Sequence, residues 1–135
     1  MPGAPLIGGS RPSVSVVIAT ACRRPEIRRA IASVLSQDVP VELIVVANGP
    51  RYDPALAAEI GNRTDLRFCH LPEGDMAKAQ EHGRGLVTAD CFSFLDDDDV
   101  YLPGGLQLRL RAFAQDPALD FVVTNGSNIL SRTES

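Results

Sequence analysis

Two short runs of branched apolar residues, Val14-Ser15-Val16-Val17-Ile18 and Val41-Glu42-Leu43-Ile44-Val45-Val46, constrain this chain most. Each is nearly continuous rather than alternating, the pattern of a strand covered on both faces. Between them, Ile27, Ala30, Ile31, Val34 and Leu35 recur at i, i+3, i+4, i+7 and i+8, one apolar stripe of a helix over residues 26–37. Pro25 suits the first turn of that helix, and Pro40 follows its end. A buried strand, a helix and a second buried strand imply a crossover connection and a parallel pair.

The rest of the chain repeats the unit. Asn48-Gly49-Pro50 ends the second strand with turn chemistry. The pattern then predicts a short helix over 54–60, a strand over 66–71, and a helix over 75–88 whose last turn Gly83 and Gly85 weaken. A strand over 91–95, a helix over 103–115 and a last strand over 121–123 follow. The expected fold class is α/β, a mainly parallel, Rossmann-like sheet flanked by helices, without an internal repeat or interdomain linker.

Composition narrows the function. The 135 residues are 44% apolar and 22% charged, enough for one globular core. A net charge of −4 without a basic block argues against a nucleic-acid surface. No apolar run approaches the roughly 18 residues of a membrane span. Cys22, Cys69 and Cys91 are an odd number at wide spacing, signalling neither a zinc site nor a disulfide framework. A reducing, cytoplasmic setting is therefore expected. Residues 1–12 lack an apolar signal-peptide core and read as a flexible tail, and residues 126–135 as a second tail or the start of further structure.

The most informative motif is Asp96-Asp97-Asp98-Asp99, directly after the apolar fourth strand. Adjacent carboxylates repel and raise one another's pKa unless a cation neutralises them. On an extended chain Asp96 and Asp98 face one side, and Asp97 and Asp99 the other. Two carboxylates at that spacing suit one hard cation, Mg²⁺ or Mn²⁺. The position is also apt, because open parallel sheets bind ligands beyond the carboxyl ends of their strands. A solvated acidic loop is the bland alternative. His70 and His82 share no ligand spacing, and Gly83-Arg84-Gly85 lacks the strand-to-helix setting of a phosphate loop.

Several blocks in order resemble family 2 glycosyltransferases of the GT-A fold. These are residues 14–20, residues 30–37, residues 41–49 and Phe94-Leu95-Asp96-Asp97-Asp98-Asp99-Val100-Tyr101-Leu102-Pro103, the last similar to the family's D-x-D block. Together they span about residues 13–125, which form the expected nucleotide-sugar-binding half-domain. The resemblance implies a nucleotide diphosphate sugar donor and a divalent metal, Mg²⁺ or Mn²⁺, bridging the aspartates to the diphosphate. It implies Asp98 as the main metal ligand with Asp96 assisting, and Asp97 facing the ribose or sugar. Ala19 and Thr20 are implied to contact the base through their backbone, and Asn48 to read the base edge. The implied reaction is inverting glycosyl transfer to a saccharide or lipid-linked acceptor. The catalytic base is expected in an acceptor-binding half beyond Ser135, with a full-length parent peripheral to the inner face of the membrane.

The chain departs from the family pattern in places. Ala21-Cys22 stands where Tyr-Asn is common, and Ala47-Asn48-Gly49-Pro50 where Asp-Asp-Gly-Ser is common. Asparagine both accepts and donates, which leaves the base open. Gln80 and Glu81 replace the usual Arg and Asn, and Lys78 is a candidate phosphate contact. A non-catalytic nucleotide-binding module and a sugar nucleotidyltransferase are the alternatives. The second lacks support, because residues 20–24 contain no glycine.

Overall fold

A computed structural model describes residues 11–122. The two apolar runs form its inner strands. β1 (Val14–Thr20) is buried at every position, and β2 (Val41–Asn48) from Leu43 onward. They are followed by α1 (Ile27–Leu35), α2 (Pro54–Gly61), β3 (Arg67–Leu71), α3 (Met76–Leu86), β4 (Phe92–Phe94) and α4 (Gly105–Gln115), in the order β1, α1, β2, α2, β3, α3, β4, α4. The sheet runs β3-β2-β1-β4, with every pairing parallel. Val14 stands opposite Val41 and Ile18 opposite Val45, while Ser15 stands opposite Phe92 on the other flank.

Alternate β1 and β2 residues divide the core into two layers. Val16, Ile18, Leu43 and Val45 pack with Ile27, Ala30, Ile31 and Val34 of α1, Leu56 and Ile60 of α2, and Leu106 of α4. Val17, Ala19, Ile44 and Val46 face the other way, against Ala79 of α3. Helices therefore cover both sheet faces, which is why β1 and β2 show no polar alternation. Each fully buried Val, Leu or Ile contributes about 1.5–3 kcal/mol.

The helix over 75–88 keeps its two glycines inside α3, and Gly83 has a packing reason. A Cβ at that position would lie 2.4 Å from Val17 Cγ1 and 3.2 Å from Val46 Cγ2. The helix lies against the sheet at a distance only glycine permits. Gly85 meets nothing within 4 Å.

Other elements differ from the sequence reading at their ends. α1 is shorter than expected, with Glu26 and Ser36 as its caps. β4 is shorter than the expected 91–95, pairing with β1 at three positions, although residues 91 and 95 supply ladder bonds: Ser15 N–H donates to Cys91 O at 2.9 Å and Leu95 N–H to Val17 O at 3.0 Å. The strand expected at 121–123 is not formed by Phe121 and Val122, and Val123 lies outside the described residues. Arg11, assigned to the tail, reaches Asp90 at 2.8 Å in an exposed ion pair. The remaining residues of both expected tails, 1–10 and 126–135, lie outside the description.

Candidate functional site

From β1 the chain builds outward through β2 and β3, then returns to the opposite flank of β1 as β4. The order reverses between β1 and β4, and it is at the carboxyl ends of the strands beside such a switch point that open parallel sheets form their ligand crevice. The aspartate run follows β4 there and Thr20 ends β1, and the two are in contact. Strand geometry stops at Leu95, which is 9% exposed. Beyond it Asp99 N–H donates to Asp96 O at 3.1 Å, closing residues 96–99 into a tight turn.

That turn replaces the expected alternation of side chains. Asp97 swings toward β1, where its Oδ2 accepts the Thr20 hydroxyl at 2.8 Å. Asp99, expected to point away with Asp97, instead joins Asp96 and Asp98. One carboxylate oxygen from each of the three lies within 4.8 Å of the others, on the exposed side of the turn. Partial desolvation, then Asp98, Asp96 and Asp97, push the Asp99 carboxyl above its ordinary value. Three converging carboxylates are a donor set that fits a hard divalent cation, which would relieve this repulsion.

The turn is fastened at both ends. Upstream, Thr20 is fully buried, and its oxygen also accepts Cys22 N–H at 2.9 Å. Cys22 adopts the left-handed φ of 58°, and its carbonyl accepts Asp53 N–H at 2.8 Å. Burial, then Asp53 and Asp97, push the Cys22 thiol up, so this buried thiol is no activated nucleophile. Downstream, Tyr101 N–H donates to Ser33 Oγ at 3.0 Å. The Gln37 amide donates to Leu102 O at 3.1 Å and accepts Leu106 N–H at 3.1 Å. Sequence reasoning assigned no role to Ser33 or Gln37. The available signal was their spacing, i and i+4, beside the apolar stripe of α1.

The β2 side of the crevice is equally ordered. Asn48 is 6% exposed, and its Nδ2 donates to Thr20 O at 3.0 Å and to Met76 Sδ at 3.2 Å. With both donors directed inward, Oδ1 is the acceptor end of the amide that Thr20 and Met76 leave unused. Gly49, at φ 89°, passes the Cα of Gly74 so closely that a Cβ would sit 3.2 Å from it. His70 Nε2 lies 2.8 Å from Gly49 O, and its ring meets Tyr52 edge-to-face at 4.5 Å between centroids. Ala19 is buried beside Thr20 at the end of β1. Lys78 is directed elsewhere: Nζ donates to Glu73 at 2.8 Å, and the side chain lines an open groove with Leu71, Glu81, His82, Gly85 and Leu86.

An open parallel sheet covered on both faces, with an acidic turn at its switch point, defines a Rossmann-like domain of the GT-A type. The family model for Glycosyl transferase family 2 matches residues 15–134, and the chain belongs to that family. It is 24% identical over 128 residues to an uncharacterized glycosyltransferase of Rickettsia felis (strain ATCC VR-1525 / URRWXCal2), spanning 92% of this chain and 21% of that protein. It is 27% identical over 121 residues to a chondroitin synthase of Pasteurella multocida (strain Pm70), spanning 87% of this chain and 12% of that protein. A hyaluronan synthase of Pasteurella multocida matches at the same identity and coverage. Among solved structures, S. aureus TarS 1-349 superposes with a TM-score of 0.66 at 20% identity, over 76% of this chain and 32% of that one. That likeness is one of fold. The chain thus spans about a fifth or less of the curated relatives it matches. Among the described residues no helix is long and apolar enough to cross a membrane.

Proposed function

We infer that this chain carries the donor site of a glycosyltransferase, binding a nucleoside diphosphate sugar through Mg²⁺ or Mn²⁺ at the acidic turn. The observation that carries the reading is the convergence of Asp96, Asp98 and Asp99 at the crevice between β1 and β4. Asp98 and Asp96 hold the ion, and Asp99 completes the set. A divalent ion there supplies charge neutralisation for the departing nucleoside diphosphate.

The chain's own residues position the donor around that point. Asp97, fixed by Thr20, faces the ribose or sugar end of the crevice. The backbone of Ala19 and Thr20 forms the floor under the base. Asn48 Oδ1 meets a base edge that offers an N–H, such as the imide of uracil. Lys78 reaches phosphate only by leaving Glu73, an exposed pairing that costs little to break. The parent reaction is inverting hexosyl transfer to a saccharide or lipid-linked acceptor, in the cytoplasm or at the inner membrane face, and its catalytic base belongs to the acceptor-binding half.

Calorimetric titration with a panel of nucleotide sugars tests this. Mn²⁺-dependent binding is expected, weakened more than about tenfold, or 1.4 kcal/mol, by Asp98→Asn. Binding that is indifferent to a chelator, or no binding by any member of the panel, would refute the reading.

A further inference from the structure

We propose that Tyr52, backed by His70, is the platform on which the base ring of the donor nucleotide stacks. This rests on the reading that the site binds a nucleoside diphosphate, and it adds an aromatic contact that the sequence did not single out. Tyr52 lies in the connection between β2 and α2. That connection is tied down on two sides: the next residue, Asp53, donates its N–H to Cys22 O just beyond β1, while the Tyr52 ring meets His70 at the end of β3. It therefore crosses the carboxyl ends of β1, β2 and β3. His70 cannot swing freely, because Nε2 bonds Gly49 O at 2.8 Å, and it meets Tyr52 at an interplanar angle of 85°. Tyr52 is thus a fixed ring, yet it is 37% exposed. Its hydroxyl has no hydrogen-bond partner among the described residues, so packing does not consume it.

Spacing connects this ring to the acidic turn. In the order β3-β2-β1-β4 the aspartates stand beyond β4, and the Tyr52–His70 pair stands over β2 and β3. Two to three strand spacings separate them, about 10–14 Å. That is the reach of an extended nucleoside diphosphate with its phosphates at the acidic turn. Asn48 lies between the two, offering Oδ1 toward a base edge. Hydrogen bonding at the edge and stacking on the face complement each other, because one sets which base is read and the other holds the ring in its plane. The other exposed aromatic rings lie off this line: Phe92 and Phe94 stand along β4 below the turn, and Phe121 follows α4.

The chain contains no tryptophan and two tyrosines, so Tyr101→Phe leaves Tyr52 as the sole tyrosine reporter. In that background, UDP with Mn²⁺ should quench tyrosine fluorescence, whereas inorganic pyrophosphate with Mn²⁺ should not. Tyr52→Ala should weaken UDP binding roughly tenfold, and Tyr52→Phe should leave it within about twofold, as expected for loss and retention of one stacked ring. Pyrophosphate affinity should be the same in all three proteins. Equal losses for UDP and pyrophosphate in Tyr52→Ala would overturn the proposal by showing a general disturbance of the site. Unchanged UDP affinity would overturn it directly. A parent chain that binds Mn²⁺ and UDP normally while Tyr52→Ala does too sinks only the stacking platform. A parent chain that binds neither sinks the donor-site reading itself.

Discussion

Replacing Gly83 by alanine tests the packing of α3 on the sheet. The added Cβ would stand 2.4 Å from Val17 Cγ1, against the roughly 3.5–4.0 Å of an unstrained carbon contact. The overlap exceeds about 1 Å, and neither side yields easily. Val17 is fully buried in β1 between Ile44 and Phe94, and a β-branched side chain has one preferred rotamer. α3 is fixed one turn earlier by Ala79, which is fully buried, and at its start by Asp75, whose side chain accepts Lys78 N–H at 3.1 Å. Overpacking of this kind costs about 1–3 kcal/mol. Alanine returns up to about 1 kcal/mol in helix propensity. The expected net is a loss of about 1–2 kcal/mol, read as a lower urea midpoint at unchanged slope. Gly85→Ala is the control: its Cβ meets nothing within 4 Å, so it should gain up to about 1 kcal/mol. In a Val17→Ala background the Gly83→Ala penalty should largely vanish. If Gly83→Ala and Gly85→Ala stabilise equally, the close approach of α3 to β1 is wrong.

Further outcomes follow from the acidic turn and its supports. Asp98→Asn and Asp99→Asn should each weaken Mn²⁺ binding several-fold in a paramagnetic-resonance titration, and Asp97→Asn less. The reverse ranking of Asp97 and Asp99 would restore the alternating-strand geometry. The Asp99 carboxyl titrates above its ordinary value of 3.8 in the folded chain, so the folded state binds that proton more tightly. Its stabilising contribution is complete below the ordinary value and lost as pH rises through the raised one. In chelator at pH 7, Asp99→Asn should accordingly be slightly more stable than the parent, by no more than about 0.5 kcal/mol at so exposed a site. The gap should close on acidification, and a gap that widens would contradict the sign. Thr20→Val removes the Asp97 bond and leaves Cys22 N–H inside without its acceptor, for an expected loss of about 1–3 kcal/mol. Thr20→Ser should retain most of the stability. A larger loss in Thr20→Ser than in Thr20→Val would assign the effect to the methyl group instead.

The sequence reveals most where burial alone decides. Val16, Val17 and Ile18 have no polar alternation because helices press on both faces of β1, and that arrangement needs only the pattern to be recognised. The stripe from Ile27 to Val34 is equally plain, and so is the acidic run after an apolar strand, although that strand, expected to be buried, leaves Phe92 and Phe94 exposed because it lies at the sheet edge. Side-chain direction is harder to read. A carboxylate beyond Leu95 is governed by which partner is within reach, and the Thr20 hydroxyl draws Asp97 out of the alternation. Asn48 has the right residue type for reading a base, but which end of its amide faces outward depends on Thr20 O and Met76, from two other elements. Gly83 reads locally as a weak point of a helix, because the branched side chains that require it lie far away in sequence. Phe121 and Val122 have strand-forming side chains, but side chains alone form no ladder without a neighbouring strand.

The brevity of β4 bears on the order in which the chain is completed. β1 and β2 pair over seven positions across a single helix, whereas β1 and β4 pair over three with α1, β2, α2, β3 and α3 intervening. Closing so long a loop for so few contacts makes β4 a late addition to the sheet. The same imbalance makes it an early one to detach, with Phe92 and Phe94 already 40% and 44% exposed. The aspartates travel with that segment, and the bond from the Thr20 hydroxyl to Asp97 ties their turn to β1 while it is docked. If the proposed cation prefers the docked state, it would by mass action raise the free energy needed to peel β4 away. It would then act as a clasp on the last strand to arrive, so that occupancy of the proposed donor site and closure of this edge of the domain would be two readings of one equilibrium.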